Sequence, residues 1–549
     1  MLCKSTDIDD TLLRSVFQHN AKNVLVPNRF DLSRDLTSSF ERFANNVASS
    51  FNEHVHKASI SPDIISGISD RLVSLASSRS SSLPPSTHQL PSTKTVKLIR
   101  KRLQGLVISP LDKNTGCLCI CCPVHYDSSL RSTFIDNSSY TLSFVCVREL
   151  LQTWESNYSR TKNWDRFYPY PNPSKISLPN SYTLFKNKNL GKFRPITSYA
   201  KHPYKRLFNA ASRALNFILD NCDAQHFNLA KICDFKKVVI DFNEKLKNED
   251  NRYLCLTGDL SNMYTSLDHT SIRRAIRWLL FDTKKQGLRD RRCVSVPKSK
   301  SDPNAHFGRA VACDNSYLTF TYDDLVDIIN FDLNNSFFAV GPDFVLQQTS
   351  GIPMGSPLSP ALAVIVCAYY EHKIQEKISE RGWSNMILGT RYMDDLLSFV
   401  THDGSLESKS RARRILNWIK FGYHRNMSLE CENTMAPFKF LSSTVTANSG
   451  SAVSIKYFNK NSDSIKSIGT QKFLTFQHYG SLSPHAQKLS VVISSLHRIC
   501  MNSLNLDDFL SSVSDLCLEL DILSYPPSLI EDALKRIYTH PRFLDLSSS

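Results

Sequence analysis

The sequence has no apolar segment long enough to cross a membrane. Its longest apolar run, residues 361–370, falls well short of the ~18 residues that a membrane-spanning helix needs. The first residues, MLCKSTDIDD, lack the apolar core of a secretory signal, and their three aspartates argue against a mitochondrial transit peptide. We therefore expect a protein of the nucleus or another intracellular compartment, and not a secreted one.

The number and spacing of the cysteines do not indicate a disulfide scaffold. The 15 cysteines are odd in number and scattered, which is typical of free thiols in a reducing compartment. Within the densest group, Cys117, Cys119 and Cys121 alternate, so a strand would place all three on one face, as core residues. Cys122 completes this group, but zinc ligands converge from a turn, so we expect packing and not a metal site.

Acidic residues are in deficit, and no repeat of fixed period is visible. The 549 residues carry 66 Lys+Arg against 51 Asp+Glu, a net charge of +15, and 41% of them are hydrophobic. This composition predicts a globular protein of several domains. The positive charge alone leaves two interpretations open, a nucleic-acid partner or a solvated basic surface.

The first acidic segment is MILGTRYMDDLLSFV, residues 386–400. Apolar residues flank Asp394 and Asp395 on both sides, which predicts a β-hairpin whose tip presents two adjacent carboxylates. Taken alone, the pair has a simpler explanation, because aspartate is a good turn former.

A second acid follows another apolar strand. In RYLCLTGDLSNMYTSL, residues 252–267, the strand leads to Asp259 and then to a turn. Alone, Asp259 could be a strand-end cap. Beside the Asp-Asp hairpin, it would complete a three-carboxylate site for Mg²⁺, which prefers carboxylate oxygens and waters. Two such ions about 4 Å apart can activate a hydroxyl and stabilise a leaving pyrophosphate.

Between these segments lies the Gly/Pro loop GIPMGSPLSP, residues 351–360, followed by an apolar helix. Its glycines and prolines make a rigid loop whose backbone can approach a substrate closely. Alone, the loop is a weak signal. We assign it to nucleotide binding through Gly351, Pro353, Gly355 and Ser356.

The order of the three segments carries a resemblance. An acid-bearing strand, a Gly/Pro loop with a helix, and an Asp-Asp hairpin follow each other as in right-hand polymerase palms, and GIPMGSPLSP and YMDD resemble reverse transcriptases. Further matches over residues 107–500 resemble the Penelope-like retroelement type. They are LDKNTG (111–116), GKFRPITS (191–198), Glu430, Glu432, Phe440, Leu441, Tyr457, Lys460, His485, Lys488, Leu496 and Arg498. Ser442 departs from the family's aspartate, and the roughly 50 residues beyond the match are too few for the nuclease domain that many relatives carry.

The resemblance implies an α+β right-hand polymerase with fingers (95–245), palm (246–445) and thumb (446–549). A helical extension (1–76) and a Ser/Pro-rich linker (77–94) would precede it, and a basic insert (284–304) would form a surface loop of the palm. The implied activity is RNA-directed DNA polymerisation by a retroelement or a gene derived from one. An RNA template, a DNA primer, dNTPs and two Mg²⁺ or Mn²⁺ ions are implied with it, and Asp259, Asp394 and Asp395 would hold the ions.

Other residues are assigned to binding the substrates of this reaction. Lys192 and Arg194 share one face of a strand and would grip the triphosphate. Tyr264, five residues after Asp259, would collide with a ribose 2′-hydroxyl, or else it packs in the palm core with its hydroxyl hydrogen-bonded. For nucleic-acid backbone we assign three thumb-helix residues, His485, Lys488 and Arg498.

Two alternatives stay open. A viral-type RNA-dependent RNA polymerase shares the palm, but there an acid usually takes the place of Tyr264. A catalytically silent nucleic-acid-binding protein could also retain the fold.

Overall fold

The computed structural model describes residues 2–4, 93–249, 252–261, 263–282, 292–299, 302–309, 316–342, 344–435, 437–448, 450–479 and 484–538. The predicted helical extension over residues 1–76 and the linker over 77–94 lie outside the described residues, apart from a short strand at Leu2–Lys4 and the start of the first helix.

Strands and helices mix along the chain, which confirms the predicted α+β class. The strands are β1 (Leu2–Lys4), β2 (Val107–Leu111), β3 (Asn114–Cys121), β4 (Tyr140–Leu142), β5 (Asn180–Lys186), β6 (Asn189–Ser198), β7 (Arg252–Leu260), β8 (Cys293–Pro297), β9 (His306–Phe307), β10 (Tyr317–Thr321), β11 (Phe337–Val340), β12 (Phe344–Gln348), β13 (Ile387–Tyr392), β14 (Asp395–His402), β15 (Leu429–Cys431), β16 (Phe438–Phe440), β17 (Ser443–Thr446) and β18 (Ser454–Tyr457).

The longer helices are α1 (Thr93–Arg102), α2 (Pro123–Leu130), α3 (Val147–Ser156), α4 (Lys205–Asp220), α5 (Phe235–Glu249), α6 (His269–Arg277), α7 (Tyr322–Asn334), α8 (Ser359–Ser379), α9 (Leu406–Phe421), α10 (Ser462–Ile468), α11 (His485–Met501), α12 (Leu506–Ile522) and α13 (Pro527–Tyr538). No helix among them is long and apolar enough to span a membrane.

A four-stranded antiparallel sheet in the order β13-β14-β7-β15 forms the centre of the molecule. Its inner strand β14 is buried on both faces, as its run of apolar residues predicts. Leu396 and Val400 pack against the core that contains α8 and α9, whereas Leu397 and Phe399 pack on the opposite face. There Phe399 stacks on Phe242 of α5 with ring centroids 4.6 Å apart. The sheet is therefore held between two helical layers.

Two further sheets precede and flank this centre. One is five-stranded, in the order β4-β12-β11-β5-β6, and the other is three-stranded, in the order β1-β3-β2. Cys117, Cys119 and Cys121 are fully buried on one face of β3, which confirms the packing role predicted for them. Every cysteine in the described part of the chain is a free thiol.

The prediction of a surface loop over residues 284–304 is wrong in its second half. Residues 293–297 form β8, the middle strand of a sheet in the order β10-β8-β9, and Val294 and Val296 are fully buried. The basic, proline-containing context hid a short apolar alternation that is stabilised by its neighbours in the sheet. Residues 283–291 lie outside the described residues.

Beyond the central sheet, a small sheet in the order β16-β17-β18 leads into a separate helical core of α11, α12 and α13. Phe438 and Phe440 are buried in the layer beneath β14, so they pack in the core. Two boundaries proposed from the sequence fall inside elements: 245/246 divides α5, and 445/446 divides β17.

Candidate active site

Three carboxylates meet at one end of the central sheet. Asp395 begins β14 directly opposite Asp259 of β7, and Asp394 lies in the turn that precedes β14. Oxygen atoms of the three side chains lie within 4.8 Å of one another. The predicted hairpin and the predicted convergence of Asp259, Asp394 and Asp395 are both confirmed. An all-oxygen donor set of this size fits a hard divalent cation.

The three neighbouring acids give this end of the sheet a strongly negative electrostatic potential, and they repel one another. Burial and the charges of Asp394 and Asp395 raise the pKa of Asp259 to about 6. Burial and Asp394 likewise raise the pKa of Asp395 to about 6, with a smaller contribution from Glu432. Such a cluster is destabilised by its own charge and favours binding of a cation that offsets it.

A glycine beside Asp259 allows the fourth strand to close on this end of the sheet. A Cβ atom at Gly258 would lie 2.5 Å from the backbone oxygen of Glu430 on β15. Any side chain at this position would push β15 away. Gly258 therefore allows β15 to pair with β7, with Glu430 directly opposite Asp259. The glutamates of the sequence match thus lie at the rim of the carboxylate site.

A buried ion pair supports the turn that carries Asp394. Arg391 of β13 pairs with Glu371 of α8, and both side chains are fully buried. Arg391 also donates from a terminal nitrogen to the backbone oxygen of Met393 at 2.8 Å. Met393 has a φ of 57°, a left-handed conformation that is unfavourable for a non-glycine residue. The hydrogen bond from Arg391 stabilises this conformation. No sequence pattern indicated this pair, because an arginine in a hairpin strand is usually exposed.

Glu371 is saturated with donors. Its two oxygens accept from Arg391, from the hydroxyl of Tyr423 at 2.9 Å and from the backbone nitrogen of Phe227 at 2.9 Å. These hydrogen bonds connect helix α8, the segment before α5 and the segment after α9 to the turn that carries Asp394. It therefore fixes the position of Asp394 relative to the helix that follows the Gly/Pro loop.

Tyr264 lies in the turn after β7, partly buried against the main core. Burial, with the nearby charge of Asp394, raises the pKa of Tyr264 to about 12, and the positive charge of Arg194 acts in the opposite direction. Its backbone oxygen accepts from the nitrogen of Ile352 at 2.8 Å, so the turn after β7 is joined to the Gly/Pro loop. Gly351, with φ of 74°, packs against that same oxygen, where a side chain would not fit.

The Gly/Pro loop is clamped from the other side by β6. A Cβ atom at Gly355 would overlap the backbone oxygen of Thr197. The backbone nitrogen of Thr197 donates to the backbone oxygen of Met354 at 2.8 Å. Gly351, Pro353 and Ser356 are buried, whereas Gly355 is exposed. Of the four loop residues assigned to nucleotide binding, only Gly355 is therefore exposed.

The role predicted for the Ser356 hydroxyl is wrong. Ser356 donates at 2.9 Å to Asp332 of α7, which is buried and also faces the hydroxyl of Tyr199 at 3.5 Å. Burial raises the pKa of Asp332 to about 7. The serine side chain points into the core because the loop needs an internal anchor, and no sequence pattern linked it to Asp332.

Arg194 of β6 lies near this site, where its charge opposes the rise in the pKa of Tyr264. Lys192 and Arg194 are two residues apart on β6, with Lys192 exposed and Arg194 partly buried. Arg194 pairs with Asp112 at 3.1 Å. Next to Asp112, Lys113 occupies the left-handed tip between β2 and β3, with φ of 61°. Its charge lowers the pKa of both Asp259 and Asp395 against the effect of burial.

Lys113 was therefore missed as a candidate site residue. The signal that could have found it was the LDKNTG match, whose lysine follows an aspartate at a strand end.

The three residues assigned on the thumb helix differ in exposure. His485 and Arg498 are exposed on α11. Lys488 is buried, its ammonium donates to the backbone oxygen of Tyr479 at 2.6 Å, and burial lowers its pKa. The expectation that Lys488 faces a nucleic-acid backbone is wrong, because a loop packed over the helix covers a position that helical periodicity alone leaves exposed.

No family model matches the chain, and no curated protein does. Among solved structures, telomerase from Candida albicans with a TWJ fragment of telomeric RNA aligns over 98% of this chain and 86% of its own, at 12% identity and a TM-score of 0.47. Apo telomerase from Candida tropicalis aligns over 99% and 85%, at 12% identity and a TM-score of 0.41. The chain's own sheet order and the three acids show an α+β fold whose central antiparallel sheet carries a carboxylate cluster at one end.

Proposed function

We propose that this chain is an RNA-directed DNA polymerase of the reverse-transcriptase type. The observation that carries the proposal is the convergence of Asp259, Asp394 and Asp395 from two paired strands, with their oxygens within 4.8 Å. The substrates would be dNTPs, a DNA primer and an RNA template. The Penelope-like resemblance supports a retroelement, or a gene derived from one, as the origin.

Divalent cations fit the donor set of this proposal. Asp259, Asp394 and Asp395 would hold Mg²⁺ or Mn²⁺, and the bound ions would supply charge stabilisation for nucleotidyl transfer. The chain's own contribution is a rigid frame: the Arg391 network below the turn and the Gly/Pro loop beside it. The partly neutralising charge of Lys113 lies next to two of the carboxylates.

The preference for dNTPs over rNTPs rests on Tyr264. The ring is partly buried against the main core, near the charges of Asp394 and Arg194, and the backbone oxygen of Tyr264 is bonded to the Gly/Pro loop, so the ring has little freedom to move aside. A fixed aromatic ring beneath the incoming sugar would collide with a 2′-hydroxyl. Selectivity would then come from repelling the wrong substrate.

Primer extension tests the proposal. The full chain is given a DNA primer on an RNA template with Mg²⁺ or Mn²⁺, and with either dNTPs or rNTPs. We expect dNTP addition by the native protein and loss of extension in Asp259→Asn, Asp394→Asn and Asp395→Asn, with duplex binding retained. Glu380→Gln removes an exposed carboxylate at the end of α8 and serves as the matched control.

Each other outcome contradicts the proposal in a distinct way. Addition of rNTPs alone would indicate an RNA-dependent RNA polymerase. Binding of the duplex without addition of either nucleotide would indicate a silent nucleic-acid-binding protein. Normal extension by Asp259→Asn or Asp394→Asn would contradict the assignment of the carboxylates.

A further inference from the structure

The turn that carries Tyr264, residues 263–268, is held by two separate parts of the chain. On one side lies the Gly/Pro loop. The backbone oxygen of Tyr264 accepts from the nitrogen of Ile352 at 2.8 Å, and the backbone oxygen of Leu267 accepts from the nitrogen of Gly351 at 3.0 Å. Leu267 is fully buried in the main core. The loop therefore fixes two carbonyl groups of the turn.

The other side of the turn meets the chain that follows helix α9, which we name the 423–426 segment. The ring of His424 is buried, and its Nε2 lies 2.8 Å from a carboxylate oxygen of Asp268, which caps helix α6 at the end of the turn. The side-chain nitrogen of Asn426 donates to the backbone oxygen of Ser266 at 3.2 Å. Two side chains of this segment thus bind the end of the turn.

The hydrogen bond between His424 and Asp268 needs no added proton on the ring. The backbone nitrogen of Asn426 lies 3.2 Å from Nδ1 of His424 and donates to it. The ring hydrogen is therefore on Nε2, which donates to Asp268. Burial raises the pKa of Asp268, but hydrogen bonds from Ser271 and His424 outweigh burial and lower this pKa to about 2. The acceptor is therefore an ionised carboxylate, and hydrogen bonds to such a group are strong.

The residue before His424 supports the opposite wall of the site. The hydroxyl of Tyr423 donates to Glu371 at 2.9 Å. Glu371 pairs with Arg391, which supports the turn that carries Asp394. Adjacent residues of one segment therefore bind both walls: Tyr423 contacts the support of the carboxylate turn, and His424 contacts the other turn. The segment links the position of one turn to that of the other.

Asp259 is held by a different set of bonds. It lies in β7, where it faces Asp395 of β14 on one side and Glu430 of β15 on the other. Strand pairing thus fixes its backbone before the chain enters the turn. Loss of the hydrogen bond from His424 would shift the turn and Tyr264, whereas Asp259 would keep its place in the sheet.

We propose that His424 is a positioning residue for sugar selection. By binding Asp268, it holds the turn where the ring of Tyr264 excludes a ribose 2′-hydroxyl, and Asn426 assists through Ser266. A displacement on the order of 1 Å is enough to change how a site treats its substrate. The inference rests on the proposed function, because it deepens the role given there to Tyr264.

A purely structural role for His424 would have a different signature. Loss of folded protein or of carboxylate geometry lowers kcat/KM for dCTP and CTP by the same factor. A shifted Tyr264 ring instead favours CTP relative to dCTP, because the ring repels only the nucleotide with a 2′-hydroxyl. The ratio of the two kcat/KM values therefore separates the two roles.

The test is single-nucleotide primer extension by the full chain. A DNA primer on an RNA template is extended by dCTP or CTP, and kcat and KM are measured for each. We expect His424→Leu to lower the dCTP:CTP ratio of kcat/KM by about 2- to 30-fold, the range typical of mutations in a contact network, mainly through the KM for CTP. His424→Gln, whose amide can still donate to Asp268, should keep the ratio near that of the native chain.

A double variant shows whether the effect passes through Tyr264. In Tyr264→Val the ring is absent, so adding His424→Leu should cause no further change in the ratio. Additive changes would mean that His424 acts on a different part of the site, and they would overturn the proposal.

Two further variants complete the design. Tyr423→Phe is the matched control, since it removes the bond from the same segment to Glu371 and should leave the ratio unchanged even where kcat falls. Asn426→Ala tests the turn at an exposed residue, in case the buried substitution impairs folding. We expect it to lower the ratio in the same direction as His424→Leu, by a smaller factor.

The outcomes separate this inference from the proposed function. An unchanged ratio in His424→Leu and Asn426→Ala, together with a lowered ratio in Tyr264→Val, would overturn the inference and leave the proposed function intact. An unchanged ratio in Tyr264→Val would remove the role of Tyr264 and the inference with it. A native chain that extends the primer with neither nucleotide would contradict the proposed function itself, and the inference would fall with it.

Discussion

The buried Arg391–Glu371 pair offers the sharpest test of the structure. Replacing Glu371 by glutamine keeps the shape of the side chain and removes its charge. Arg391, which has no exposed surface, would then keep its cation without a counter-ion. The amide nitrogen of the glutamine would also face a donor, either Tyr423 or Phe227, and could not accept its hydrogen bond.

The magnitude follows from the burial of both partners. Breaking a buried ion pair by removing one charge costs about 3 to 5 kcal/mol. For a cooperative unit of about 200 residues, 1 kcal/mol lowers the Tm by about 2 to 4 °C, so we expect a loss of about 6 to 20 °C. Tyr423→Phe is the matched control, because it removes one hydrogen bond to Glu371 and should cost about 0.5 to 1.5 kcal/mol.

The assay is thermal unfolding followed by the fluorescence of the five tryptophans. A second variant, Glu371→Leu/Arg391→Met, removes both charges and should be more stable than Glu371→Gln, since no uncompensated ion remains. A Glu371→Gln protein that melts within 2 °C of the native chain would refute the buried pair. A double variant less stable than Glu371→Gln would refute the electrostatic reason for its cost.

Three further predictions follow from the site. Tyr264→Val should raise the kcat/KM for CTP relative to dCTP, whereas Tyr264→Phe, which keeps the ring, should leave the ratio near that of the native chain; an equal ratio in all three would exclude Tyr264 from sugar selection. Without divalent ions, Asp259→Asn should melt above the native chain because it relieves carboxylate repulsion, and Mg²⁺ should raise the Tm of the native chain more than that of the variant; an equal rise would contradict the metal site. Burial raises the pKa of Asp332 from 3.8 to about 7, so the folded state holds a proton that the unfolded state loses, and stability should fall as pH rises through this window. Asp332→Asn should remove that loss, and its Tm advantage over the native chain should be larger at pH 8 than at pH 5; a constant difference would contradict the buried acid.

The sequence by itself determined the elements that depend on local pattern. Apolar runs predicted the strand that leads to Asp259 and the two strands that flank Asp394 and Asp395, and the structure pairs them as expected. Alternation placed Cys117, Cys119 and Cys121 on one face of a strand as core residues, where they lie. In each case, the pattern is a property of a few consecutive residues.

Tertiary structure decided the direction of individual polar side chains. Lys488 and Ser356 read as exposed ligands of a substrate, yet one donates to Tyr479 and the other to Asp332, both brought there by distant segments. Arg391 carried no sign of burial until Glu371 of α8 was placed against it. A charged or hydroxyl side chain has the same local pattern whether it meets water or a partner. The free energy that decides between them comes from residues far away in the chain, and only the folded structure brings those residues into contact.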